Sequence, residues 1–80
     1  MNKVKGKRPM TPKMLKLLHF IEKYIELNKY SPTYDEMAKG MGYKSKNSVS
    51  VLIEKLVERG DIIRDYANFS RNLEVNGQSN

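Results

Sequence analysis

Residues 33–60 read TYDEMAKGMGYKSKNSVSVLIEKLVERG, and this stretch predicts two helices joined by a short turn. Thr33 and Glu36 have the spacing of a capping box, which begins a helix. Gly42 is placed to end that helix in a left-handed backbone conformation. Ser45 is a favoured N-cap residue and therefore begins the next helix. Two helices with so short a connection are typical of a helix-turn-helix.

The longer helix of this pair has an apolar stripe along one side. Its members recur at spacings of three and four residues, as core-facing positions of a helix do, and they are Val49, Leu52, Ile53, Leu56 and Val57. Gly60 ends the helix. In the shorter helix, Met37, Ala38 and Met41 form the buried side. Ala38 is small, so it lets the two helices approach each other closely.

The chain on either side of this pair predicts another helix and a β-hairpin. Thr11 is a favoured N-cap, and Pro12 suits the first position of a helix that continues to about residue 28. Two β-rich runs, residues 61–66 and 71–75, flank a short polar loop, which is typical of a hairpin. The predicted fold is therefore mainly α, a winged helix-turn-helix with three helices followed by a two-stranded antiparallel wing.

Length and composition limit the chain of 80 residues to a single small domain. We expect a flexible basic arm over residues 1–10, the winged helix-turn-helix over residues 11–75 and a polar tail over residues 76–80. The chain has no cysteine, which excludes disulfides and thiolate metal sites. It also lacks an apolar run of the roughly 20 residues that a membrane span needs. We therefore expect a cytoplasmic protein without a membrane partner.

The formal net charge of +6 favours a polyanionic partner, and we predict double-stranded DNA. Candidate catalytic groups are few. His19 is the only histidine and lies beside the apolar stripe of the first helix, where a packed or solvated histidine is the simpler interpretation. No serine has a base beside it, and no glycine-rich phosphate loop is present. We predict no enzymatic activity, no metal, no cofactor and no small-molecule ligand.

The outward face of the longer helix is where we predict contacts with DNA bases. An ordinary solvated face would carry Lys and Glu, whereas this one begins with short side chains that form hydrogen bonds. Asn suits an adenine edge and Ser suits either strand. An exposed Val51 suits a thymine methyl, although isolated valines are also common on surfaces. The predicted base contacts are Ser45, Asn47, Ser48, Ser50, Val51 and Glu54.

Positive side chains surround this face and predict contacts with DNA phosphates. They are Lys39, Lys44, Lys46, Lys55 and Arg71, with Lys3, Lys5, Lys7 and Arg8 in the basic arm. Each of them alone is also consistent with an ordinary solvated surface. Asn68, Phe69 and Ser70 lie at the tip of the predicted wing, within reach of a flanking backbone or minor groove. For Phe69, packing against the sheet or the first helix is the preferred interpretation.

Taken together, residues 11–75 resemble the N-terminal DNA-binding domain of the LexA repressor family. The resemblance is carried by Ser31-Pro32-Thr33, Glu36-Met37-Ala38, the run from Met41 to Ser48, Leu52, Leu56, Arg59-Gly60 and Ser70-Arg71. These positions align without gaps until the wing, which is slightly longer here. The resemblance implies a third helix that enters the major groove, dimeric binding to a two-fold operator, and transcriptional repression in a bacterial or phage-type cytoplasm, at the nucleoid.

Individual positions carry further implications of this resemblance. In the family, the Ser and Asn at the start of the recognition helix contact DNA, which carries over to Ser45 and Asn47. Ser50 and Val51 stand where the best-known members have acidic residues, so we expect poor binding to the usual DNA-damage operator. Full repressors also carry a self-cleaving protease domain that dimerises, and these residues contain no counterpart. A fragment and a stand-alone regulator, monomeric or weakly homodimeric, are both open alternatives.

A protein-interaction adaptor is the alternative function, because winged helices also bind other proteins, such as a host repressor or polymerase. Tyr34, Tyr43, Tyr66 and Phe69 suit such an interface if they are exposed; otherwise they pack on the small core. RNA is a less expected partner, since the chain offers no aromatic sheet platform. Salt dependence distinguishes the two functions, because DNA binding by Lys and Arg weakens steeply with salt.

Overall fold

Three α-helices are followed by a two-stranded antiparallel sheet in the computed structural model, which describes residues 9–64 and 72–76. The elements are α1 (Pro12–Asn28), α2 (Tyr34–Met41), α3 (Lys46–Arg59), β1 (Ile62–Arg64) and β2 (Leu73–Val75). In the sheet, Ile62 lies opposite Val75, and Arg64 lies opposite Leu73. This order confirms the predicted winged helix-turn-helix. Most of the basic arm lies outside the described residues. So do four residues of the predicted wing, which are Asn68, Phe69, Ser70 and Arg71.

Side-chain caps begin the first two helices where the sequence predicts them. The Thr11 hydroxyl accepts a hydrogen bond from the Met14 N–H at 3.2 Å. At α2, the Thr33 hydroxyl accepts from the Glu36 N–H at 3.1 Å, and the Glu36 carboxylate accepts from the Thr33 N–H at 2.8 Å. Each cap satisfies backbone donors that have no partner within the helix. The predicted starts of α1 and α2 are therefore confirmed.

A left-handed glycine separates α2 from α3. Gly42 has a φ of +77°, and its N–H donates to the Lys39 carbonyl at 3.2 Å. The Tyr43 N–H donates to the Ala38 carbonyl at 2.8 Å. These paired bonds stop α2 and reverse the chain, so that α3 begins after Ser45. A Cβ added at Gly42 would meet no atom within 4 Å, so the backbone angle alone accounts for glycine at this position.

One apolar core joins the three helices to the sheet. Its fully buried side chains include Met14, Leu17, Ile21, Met37, Val49, Ile53, Leu56 and Ile62. Met41 and Val57 belong to the predicted apolar sides of their helices but are only half-buried, packed against the edge of this core. The predicted apolar sides of these helices are therefore wider than the part that the core covers. Burial of α1 and α3 against each other fixes which face of α3 stays exposed.

Close packing and polar bonds tie α1 and the following loop to the rest of the domain. A Cβ at Gly40 would collide with the ring of Phe20, so this ring packs directly against the backbone of α2. The Ser31 hydroxyl is buried and accepts a hydrogen bond from the Leu73 N–H at 3.2 Å. The loop between α1 and α2 is thereby attached to β2.

Substitution of Gly42 by valine should lower the free energy of unfolding by about 1–2 kcal/mol or more, because a β-branched residue is strained at positive φ. Asparagine tolerates this conformation better, so Gly42→Asn should cost clearly less. Urea denaturation of the three proteins measures the difference. Equal stability of the valine and asparagine variants would contradict a conformational role for Gly42.

Candidate nucleic-acid interface

The exposed face of α3 is set by the side that the helix buries. Val49 and Ile53 are fully buried, and the opposite side of the helix faces solvent. Asn47 and Val51 lie on this exposed side, and Val51 keeps 46% of its surface accessible. Ser50 is half-buried at the edge of the face. A valine left this accessible offers an apolar contact to a partner that approaches α3.

A cleft of about 390 Å³, which we call the α1–α3 cleft, runs along one side of this face. Its lining includes Lys13, Tyr43, Asn47, Ser48, Val51 and Lys55. The structure thus brings three predicted base contacts together with one predicted phosphate contact. Lys13 is not among the predicted DNA contacts, because the pattern of α1 alone places it on a solvated face. Only the packing of α1 against α3 brings it to this cleft.

A second cleft of about 590 Å³, the α2–α3 cleft, opens where α2 turns into α3. Its lining includes Asp35, Lys39, Tyr43, Lys44, Ser45 and Lys46. Three predicted phosphate contacts meet here with Ser45, whose hydroxyl forms no capping bond with α3. The Lys46 ammonium lies 3.9 Å from the Asp35 carboxylate, and both side chains are mostly exposed, so this ion pair is weak. Positive charge therefore dominates the cleft.

Glu54 lies apart from both clefts and is held by an arginine of the sheet. Arg64 Nη1 donates to the Glu54 carboxylate at 3.1 Å, and Arg64 Nη2 donates to the Tyr34 hydroxyl at 3.1 Å. One guanidinium therefore links β1 to α2 and α3. Arg64 is not among the residues predicted from the sequence, since its partners lie 10 and 30 positions away along the chain. No local pattern signals a contact over that separation.

Two of the tyrosines that the adaptor hypothesis needs to be exposed are only partly accessible to solvent. Tyr34 and Tyr43 are half-buried, and both pack against the core. Tyr66 and Phe69 lie outside the described residues. These two rings therefore offer only part of their surface to a protein partner.

Over residues 9–64 and 72–76, no three His, Cys, Asp or Glu side chains cluster in a way that would hold a metal ion. None of the helices described here has the length and apolar character needed to cross a membrane. His19 is exposed on α1.

Sequence comparison identifies the family. The family described as "LexA DNA binding domain" matches residues 7–71, a range that includes α1, α2, α3 and β1. The chain belongs to this family. The match confirms the resemblance inferred from the helix-turn-helix motif and from the residues that flank it.

Curated relatives of the chain are LexA repressors. Those of Pelagibacter ubique and Novosphingobium aromaticivorans are each 42% identical to it over 66 residues, which cover 82% of this chain. That of Syntrophobacter fumaroxidans is 33% identical over 66 residues. The matched segment makes up 29%, 28% and 32% of these proteins, respectively. The chain therefore spans less than a third of the length of these relatives.

Replacement of Arg64 by methionine should lower the free energy of unfolding by about 1–3 kcal/mol, because it removes charge-assisted hydrogen bonds from a largely buried position. Glu54→Gln should cost less than about 1 kcal/mol, since Glu54 is mostly exposed. A double-mutant cycle with urea denaturation measures the coupling. Strictly additive losses would contradict an energetic link between Glu54 and Arg64.

Proposed function

We propose that this chain binds double-stranded DNA at a specific sequence and represses transcription, with α3 in the major groove. The observation that carries the proposal is the exposed α3 face, where Asn47, Ser48 and Val51 lie beside lysine-lined clefts. A major groove about 12 Å wide admits an α-helix, and base edges are read there by short polar and apolar side chains. Membership of the LexA DNA-binding domain family supports the same function.

The proposed base-reading side chains extend from Ser45, just before α3, to Glu54 in the second half of the helix. Asn47 is suited to donate and accept hydrogen bonds at an adenine edge, and Val51 to contact a thymine methyl. Ser48 adds a hydroxyl to the same cleft. The proposed base contacts are Ser45, Asn47, Ser48, Ser50, Val51 and Glu54. Within this set, we propose that Glu54 contacts a base while it is hydrogen-bonded to Arg64. Ser50 contacts a base from the edge of the exposed face.

Phosphate contacts position the domain without reading sequence. The proposed contacts are Lys39, Lys44, Lys46, Lys55 and Arg71. We propose that Asn68 and Ser70 of the wing reach a flanking backbone or minor groove, whereas packing against the sheet or the first helix stays the preferred interpretation for Phe69. Lys39, Lys44 and Lys55 form no ion pair within the described part of the chain, so their charges stay available to DNA. The four lysines lie in the two clefts that adjoin α3.

The operator that we propose differs from the usual DNA-damage operator. Ser50 and Val51 present a hydroxyl and an isopropyl group instead of carboxylates. Val51 therefore cannot accept a hydrogen bond from the cytosine amino group, and Ser50 can accept one only through a neutral hydroxyl. We propose that two copies bind the halves of a two-fold site, with weak dimerisation in the absence of DNA. In this function the domain is a regulator without catalysis of its own.

Selection of bound duplexes from a random DNA pool, with affinity followed against salt, tests this function. We expect a short recovered motif, repeated as a palindrome, and an affinity that falls steeply with salt. Salt-sensitive binding without a motif would contradict sequence-specific binding. Absence of binding at low salt would contradict DNA binding altogether and favour a protein partner.

Asn47→Ala should weaken binding to the recovered motif by about 1–3 kcal/mol and leave binding to random DNA almost unchanged, because only a base contact depends on sequence. Asn28→Ala is the matched control, since Asn28 lies at the far end of α1 and bonds only to the Tyr24 carbonyl among the described residues. Titration of both variants with both duplexes measures the effect. Equal losses on motif and random DNA would show that Asn47 does not read a base.

A further inference from the structure

Two side chains outside α3 line the α1–α3 cleft beside the proposed base contacts. Lys13 lies in the first turn of α1, and Tyr43 lies in the turn that precedes α3. Lys13 has no ion-pair partner among residues 9–64 and 72–76. The Tyr43 hydroxyl likewise has no hydrogen-bond partner in the described structure, although the ring packs against the core. A free ammonium and a free phenol therefore share one cleft.

The two clefts adjoin different sides of α3. Lys46 lines the α2–α3 cleft, and Ser48 lines the α1–α3 cleft. At 3.6 residues per turn these two positions lie about 200° apart around the helix axis. A helix about 10–12 Å in diameter nearly fills a major groove about 12 Å wide, so the sides of α3 face the two phosphate backbones.

This proposal rests on the function proposed above: we propose that Lys13 and Tyr43, together with Lys55, bind the phosphate backbone of one DNA strand. The lysines of the α2–α3 cleft then face the other strand. Lys13 supplies a charge-assisted hydrogen bond, and the Tyr43 hydroxyl donates a neutral one, as tyrosines do at phosphates. Lys55 lies two helical turns beyond Ser48, so the cleft follows α3 for about 10 Å with the Lys55 side chain at its far end.

The turn backbone and the apolar core both hold Tyr43 in place. The Tyr43 N–H is bonded to the Ala38 carbonyl at 2.8 Å as part of the turn that ends α2. Its ring lines both clefts, which places the residue between the lysines of one cleft and those of the other. Because turn and ring are held before DNA arrives, little side-chain entropy is lost when the phosphate binds.

Lys13→Gln and Tyr43→Phe test the proposal, with Lys23→Gln and Tyr30→Phe as matched controls. Lys23 is exposed about 15 Å further along α1, and Tyr30 is exposed beyond the end of that helix. The full chain is titrated with a duplex that carries the recovered motif and with a shuffled duplex. Thermal unfolding of each variant shows that folding is retained.

We expect Lys13→Gln to weaken binding about 3- to 10-fold on both duplexes and to reduce the slope of log affinity against log salt by about 0.9, because one phosphate contact is lost. Tyr43→Phe should weaken binding about 2- to 10-fold with the salt slope unchanged, since no charge is removed. Both control variants should bind like the wild-type protein.

Each outcome of these titrations supports or overturns the proposal. If the wild-type protein binds and Lys13→Gln matches Lys23→Gln in affinity and slope, the phosphate role of Lys13 is overturned while the proposed function stands. If Tyr43→Phe matches Tyr30→Phe, the role of the Tyr43 hydroxyl is overturned. If the wild-type protein binds neither duplex, the proposed function fails, and the phosphate site fails with it.

Discussion

The left-handed backbone at Gly42 controls where α3 lies relative to α2. Its N–H and that of Tyr43 bond back to the Lys39 and Ala38 carbonyls, which ends α2 and turns the chain within a few residues. After so short a turn, α3 can bury only one side against α1 and the sheet. Val49 lies on this buried side, and the opposite face of α3 is exposed to solvent. The proposed interface is therefore a consequence of how the chain reverses.

The two clefts follow from the same packing. α1 crosses α3 closely enough for Lys13 to reach the cleft that Asn47 lines. On the other side, the end of α2 and the turn form a cleft in which Lys44 lies. Neither cleft belongs to a single element, so each depends on the angle between two helices. Arg64 stabilises the angle between α2 and α3, because its guanidinium bonds to a side chain of each helix.

Local signals in the sequence predict the helices well, because each of them acts within a few residues. The capping box at Thr33 and the glycine at position 42 are such signals, and Val51 is predicted to be exposed by the period of α3 alone. Lys13 and Arg64 are different. Their neighbours lie on other elements, and a sequence does not give the angle at which two helices cross. The pattern of α1 therefore marks Lys13 as ordinary solvated surface, although packing brings it beside α3.

Charge and specificity are carried by different residues in the proposed interface. The lysines attract any duplex, because phosphates are the same in every sequence. Discrimination must then come from the other side chains of the exposed face, chiefly the uncharged Asn47 and Val51. The nearest acidic group of α3, Glu54, is hydrogen-bonded to Arg64, which offsets its charge beside the face. With serine and valine at positions 50 and 51, the first half of α3 repels no phosphate. Specificity there rests on shape and hydrogen bonding at the base edges.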